Sequence, residues 1–154
     1  MGTRSTYRVI ERGTYGGKKW QTPICLLYLQ YDGYPEGHPA DTIAWISTGK
    51  VVNGIPMEQQ GLVFNGAGCL AAQLVTRHKD GPGGAYLYPI KRRCKCGEDY
   101  VYDIIVDSDK KSIEVVAYDN LTGWGDKDKV KTSVLYRGSP EGYANWLENT
   151  WNKK

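Results

Sequence analysis

The run Ile24-Cys25-Leu26-Leu27-Tyr28-Leu29, opened by Pro23 and followed by Gln30-Tyr31, limits most what this chain can become. Successive side chains of an extended segment point to opposite faces of a sheet, so an unbroken apolar run needs cover on both faces or nearly so. It predicts a central strand over residues 23–31, the spine of the core. At 154 residues the chain has the length of one domain and can bury a sizeable core without metal or disulfide staples. One domain over residues 1–154 is expected.

Around that spine the pattern alternates between strand and helix. Residues 3–12 alternate, with Tyr7 and Val9 on one side and Arg4, Arg8 and Arg12 largely on the other, and Gly13-Thr14-Tyr15-Gly16-Gly17 supplies a hairpin turn. Pro39 is placed to open a short helix, with Asp41 near its positive end and Gly49 as its stop. An irregular stretch follows over 51–64, with one short strand near Leu62–Phe64. Ala67, Leu70, Ala71, Leu74, Val75 and His78 share one helical face and predict a helix over 67–79, stopped by Asp80-Gly81-Pro82-Gly83-Gly84. Strands are predicted over 86–90, 100–106, 112–118 and 132–137, the middle two joined by a turn at 107–111. Ser139-Pro140-Glu141 reads as N-cap, first-turn proline and acidic first turn of a last helix that carries Tyr143, Trp146, Leu147 and Trp151. The fold class is therefore α+β, an antiparallel sheet of about five to six strands packed with two to three helices.

Charge and composition exclude several functions. A net charge of +3 falls short of a dedicated nucleic-acid binder, although a small anion is easily accommodated. No apolar leader follows Met1 and no segment approaches the ~18 apolar residues that a spanning helix needs, so no membrane partner and a cytoplasmic location are expected. Met1-Gly2 with Thr6 matches the letter of an N-myristoylation pattern, but the following strand would bury that end. Asn120-Leu121-Thr122 matches a glycosylation acceptor, which carries no meaning without secretion. The four cysteines fall in unrelated settings and read as reduced thiols. Cys94-Lys95-Cys96-Gly97 resembles half a zinc knuckle with the wrong spacing, and Asp107-Ser108-Asp109 lacks the glycine and glutamate of a calcium loop, so no metal and no cofactor are expected.

The segment from Tyr28 to Pro39 passes from the apolar strand into a loop rich in polar side chains. Gly33 and Gly37 permit special backbone, Pro35 and Pro39 stiffen the path, and Gln30, Tyr31, Asp32, Tyr34 and His38 offer hydrogen-bonding groups. A hairpin between the first two strands would bring Arg4 beside Asp32 or a ligand phosphate, with tyrosines to stack on a ring. Asp-Gly-Tyr-Pro is equally a good turn in its own right. Gly66-Ala67-Gly68 opens a helix and offers backbone N–H groups to an anion, or is simply a flexible helix start; a dinucleotide fold lacks the acidic residue about 20 positions on. Tyr86 and Tyr88 beside Lys91-Arg92-Arg93 and Lys95 combine rings and cations, which suits a nucleotide or a solvated strand end.

Enzymatic readings are constrained by the two histidines. A two-histidine phosphodiesterase wants Thr or Ser two residues after each His, where Ala40 and Asp80 stand, and no Gly-x-Ser-x-Gly elbow exists. His38 reads as a ligand donor or a helix cap, and His78 as a packed residue at the core edge.

Gly2-Thr3-Arg4-Ser5, the block from Gln30 to His38 and the block from Asp80 to Pro89 together resemble a family of small phage and bacterial proteins. That resemblance spans scattered blocks of the first hundred residues, implies a phage or bacterial source and implies no particular activity. By analogy with small phage proteins that neutralise host immunity, a fold-independent argument, the expected function is non-enzymatic binding of a small phosphorylated, nucleotide-like ligand such as a cyclic nucleotide signal. The contacts would come from Arg4, Gln30, Tyr31, Asp32, Tyr34, His38, Gly66, Gly68 and Tyr86, in a monomer or a homo-oligomer. The alternatives are a protein-binding inhibitor of a host effector, using tyrosine and tryptophan hot spots, and a hydrolase using His38 with Asp32 or Glu36.

Overall fold

The computed structural model describes residues 2–54, 61–92, 95–121 and 131–154. Its main sheet has six strands: β1 (Ser5–Tyr15), β2 (Lys18–Leu29), β5 (Ala85–Leu87), β6 (Tyr100–Asp107), β7 (Ser112–Asn120) and β8 (Thr132–Gly138), in the order β5-β2-β1-β6-β7-β8. All neighbours are antiparallel except β1 and β6, which run parallel. A parallel pair needs a long connection. Here it contains α1 (His38–Ser47), a small parallel pair of β3 (Lys50–Val52) and β4 (Val63–Asn65), α2 (Gly66–His78) and β5. The chain ends with α3 (Pro140–Trp146) and a π-helical turn, Leu147–Trp151. No helix among the described residues is long and apolar enough to cross a membrane.

The helices share one sheet face. Tyr7, Val9, Leu27, Leu29, Tyr102, Ile104 and Val115 pack there against Ile43, Ile46, Phe64, Leu70, Leu74 and Tyr143 in one continuous core. The opposite face carries a second, small apolar cluster of Ile10, Ile105 and Val116 with Tyr118, and register puts the buried Leu26, Tyr28 and Val101 there as well. Beside it stand three ion pairs, Arg4–Asp99, Arg8–Asp103 and Arg12–Asp107.

Besides β3, which was not expected, and the extension of β7 to Asn120, three boundaries differ from the sequence expectation with a clear physical cause. β1 runs on through Gly13 to Tyr15, and the hairpin turns on Gly16 and Gly17 alone, at φ of 56° and 75°. Two residues in the left-handed region match the right-handed twist of the strands, which a longer turn would not do as well. β2 begins at Lys18, ahead of Pro23, because β5 covers only Leu27–Leu29 and leaves the outer edge free where proline has no N–H to donate. The strand expected over 86–90 shortens to Ala85–Leu87, followed by a 3-10 turn over Ile90–Arg92. The Cys94 half of the suspected knuckle, Arg93 of the basic cluster, the 55–60 part of the irregular stretch and residues 122–130 lie outside the described residues.

Candidate functional site

The corner after β2 is held from beneath. Asp32 takes a left-handed φ of 53°, and its carbonyl accepts from the His38 N–H at 3.1 Å. Gly33 donates to the Thr3 carbonyl at 2.9 Å, and its own carbonyl accepts from the buried Tyr102 hydroxyl at 2.8 Å. The Pro35 carbonyl accepts from the Tyr143 hydroxyl at 3.1 Å, and the Glu36 carboxylate accepts from the Trp151 indole N–H. A Cβ on Gly33 would stand 2.6 Å from the Ser5 side chain, so only glycine lets the loop lie this close to β1.

Two of the predicted contacts take other partners. Arg4 does not meet Asp32: its backbone N–H donates to Asp99 at 2.8 Å and its guanidinium reaches the same carboxylate at 3.4 Å, with Arg4 itself 8% exposed. The hairpin sets Ser5 opposite Leu29, but β6 on the other side of β1 brings in the residue that matches the arginine. Gln30 accepts from the Tyr28 hydroxyl at 3.0 Å and donates its backbone N–H to Gly84. Tyr31, Asp32 and Tyr34 face solvent, Tyr31 lying against Gly2 and Tyr34 against Gly37. Tyr86 is half exposed on β5, its ring 6.3 Å from Tyr28 and 5.4 Å below the Lys79 ammonium.

Beneath the corner the two histidines meet, His38 at the start of α1 and His78 at the end of α2, with ring centroids 5.3 Å apart. His38 Nδ1 lies 3.0 Å from the Tyr7 hydroxyl and Nε2 lies 3.2 Å from Ser5 Oγ; either tautomer satisfies both when one hydroxyl donates and the other accepts. His78 Nε2 lies 3.0 Å from Thr42 Oγ1, and its ring stacks on Tyr7 at 5.7 Å. Burial, then the neighbouring His78, pulls His38 down to about 3; burial, then Arg77, pulls His78 down to about 4. Both rings are therefore neutral at pH 7. Acid–base catalysis works best with a group whose pKa lies near the operating pH, and Ser5 has no exposed surface from which to attack a substrate. The cluster's chemistry is that of a polar rivet joining β1, α1 and α2.

Gly66 and Gly68 lie at the far end of α2, whose 13 residues make it about 20 Å long. Gly66 takes φ +78°, and Asn65 supplies no side-chain cap because its Oδ1 accepts from the Gly54 N–H at 2.8 Å. The helix start therefore opens, uncapped, onto a hollow of about 360 Å³ lined by Glu11, Trp20, Asn53, Asn65, Gly66 and Lys111. Trp20 also lines a second hollow of about 510 Å³, with Arg12, Lys19, Asp107, Asp109 and Lys110. Register places Trp20 opposite Gly13, and a Cβ there would come within 2.8 Å of the indole, so the ring rests directly on the β1 backbone. A third hollow, of about 460 Å³, continues past Lys111 toward Lys50 and Ser139.

Trp20 was not among the residues that the sequence singled out. Its signal was present as one tryptophan within the polar run Lys18-Lys19-Trp20-Gln21-Thr22, where no core-facing alternation calls for an aromatic ring. Compared with protein-family models, with curated proteins and with solved structures, the chain matches none.

Proposed function

We propose that this protein is a non-enzymatic binder of a small phosphorylated, nucleotide-like ligand, and that the ligand sits against Trp20 and the start of α2. The observation that carries the reading is the hollow lined by Trp20, Asn53, Asn65 and Lys111 at the start of α2, where Gly66 has no side-chain cap. An aromatic face stacks on any base at about 1–3 kcal/mol. Ammonium and helix-start N–H groups suit a phosphate, and amides suit the edge of a base or a ribose. Of the residues expected from the sequence, Gly66 lines this hollow and Gly68 lies two residues further along α2, while Tyr31, Tyr34 and Tyr86 are exposed aromatic side chains outside it.

The neutral histidine pair supports binding over acid-assisted hydrolysis, since neither ring is the imidazolium that would protonate a leaving group at pH 7. In the phage setting that the sequence blocks imply, such a protein would sequester a cyclic or modified nucleotide signal in the bacterial cytosol. Titration calorimetry of the wild-type chain against nucleoside monophosphates, cyclic nucleotides and ADP-ribose derivatives tests the reading. Saturable heat with at least one member, and recovery of that ligand intact from the denatured complex, is the expected result. No heat at millimolar concentration refutes binding, and a cleaved ligand refutes the non-enzymatic part.

A further inference from the structure

We propose that Asn53 and Asn65, each followed by glycine, form a paired deamidation site whose two members are held unreactive by one hydrogen bond between them. The sequence contains two Asn-Gly steps, Asn53-Gly54 and Asn65-Gly66, and the fold brings them together. The parallel register sets Val52 beside Asn65, so the chain leaving β3 passes the Asn65 side chain, and the Gly54 N–H donates to Asn65 Oδ1 at 2.8 Å. Both asparagines are exposed to water, and both line the hollow at the start of α2.

Glycine makes such a step reactive because it puts no side chain in the way of the attack. A Cβ at Gly54 or at Gly66 would meet nothing within 4 Å, so no other part of the fold crowds either step. In the reaction, water or hydroxide takes the glycine N–H proton and the nitrogen attacks the asparagine Cγ; the new C–N bond closes a succinimide, and the side-chain nitrogen leaves as ammonia with a proton returned from water. Water then adds to one of the two imide carbonyls and opens the ring to aspartate or isoaspartate. No oxidant or reductant is needed.

The hydrogen bond acts on both steps. Deprotonation of Gly54 would set an amide anion 2.8 Å from the carbonyl oxygen to which it now donates, so Asn65 disfavours the nucleophile that Asn53 needs. The same bond fixes the Asn65 amide on Gly54, and Asn65 must release that partner before its Cγ is free to meet the Gly66 nitrogen, whose N–H has no intrahelical acceptor at the helix start. Either reaction therefore proceeds from the state in which this one bond is open. Each conversion replaces a neutral amide in the wall of the hollow by a carboxylate. That charge would repel the phosphate of the proposed ligand, a consequence that rests on the binding reading, whereas the modification itself does not.

Peptide mapping by mass spectrometry, after incubation of the full chain in mildly alkaline buffer, reads each site through the mass gain of an amide-to-acid exchange. Both sites should convert more slowly in the folded wild type than in the same chain held in urea. Asn65→Ala should raise the Asn53 rate about two- to tenfold in the folded chain, the weight of one net hydrogen bond. Asn65→Asp, whose carboxylate still accepts from the Gly54 N–H, should show no such rise. Circular dichroism checks that both variants keep the fold. Equal rates in folded and unfolded wild type, an Asn53 rate that a folded Asn65→Ala leaves unchanged, or an equal rise in both variants overturns the site. If Asn65→Ala does not fold, the comparison of Asn65→Asp with the wild type decides, and a rise there overturns it.

Discussion

Arg8 and Asp103 face each other across the parallel β1–β6 pair, with Nε and Nη2 each 3.2 Å from a different carboxylate oxygen. The register repeats the pairing four residues away in both directions, at Arg4–Asp99 and Arg12–Asp107, always between residues 95 apart. In a parallel ladder in register, residues of one face at constant offset stand side by side, so the three pairs form a rail along the sheet face away from the helices. The rail supplies charge compensation where apolar cover is small.

Removing one partner of this rail leaves a charge that the fold has already taken out of water. The Asp103 side chain is 3% exposed and Arg8 20%. Asp103→Ala should cost about 2–4 kcal/mol in urea denaturation, the lower part of the range for a broken buried pair because Arg8 keeps some solvent. Arg137→Ala, at the more exposed pair with Glu114, should cost at most about 1 kcal/mol. Equal costs would contradict the rail's role.

The histidine rivet makes stability depend on pH with a defined sign. Both rings have folded-state pKa values of about 3 and about 4, against 6.5 for a free imidazole. The unfolded chain therefore binds more protons between those values, and stability is full above about pH 6.5 and falls as pH drops toward 4. The melting temperature should decline between pH 6.5 and 5, a window in which carboxylates still contribute little. His78→Gln should flatten that decline, and an unchanged slope would show that the histidines are solvated.

Glycines at the corner and at the helix start should respond oppositely to alanine. Gly33→Ala drives a Cβ into Ser5, including its backbone nitrogen at 2.9 Å, and should destabilise by about 2–3 kcal/mol. Gly68→Ala meets nothing within 4 Å in α2 and should stabilise by about 0.5–1 kcal/mol. Thermal denaturation of the two variants reads both signs.

Trp20→Ala should remove nucleotide binding while sparing the core, because the indole is 37% exposed and rests on Gly13 at the end of the hairpin. Trp20→Phe should retain part of the affinity, since a smaller ring still stacks. Parallel calorimetry and circular dichroism separate the loss of binding from a loss of fold.

Much of this architecture is legible from residues close together in the chain. The apolar run at Ile24–Leu29 marks a strand, Pro39 and Asp41 mark the start of α1, and the spacing from Ala67 to His78 marks α2; each follows from the geometry of a few consecutive residues. Ser139, whose Oγ accepts from the Gly142 N–H at 3.2 Å, caps α3 as its sequence suggested. The corner was visible as a loop for the same reason.

Partnership over long separations was decided by tertiary structure alone. The alternation of β1 exposes Arg4, Arg8 and Arg12 on one face, but it does not say which strand will lie beside them. β2 is the nearest in sequence, yet β6 brings the aspartates. In the same way nothing in the neighbourhoods of His38 and His78 announces that the two rings touch, and nothing around Lys18–Thr22 announces that Trp20 will lie on Gly13 between two hollows. Local pattern sets which way a side chain points; what it meets there depends on how the whole sheet and its helices close over one core.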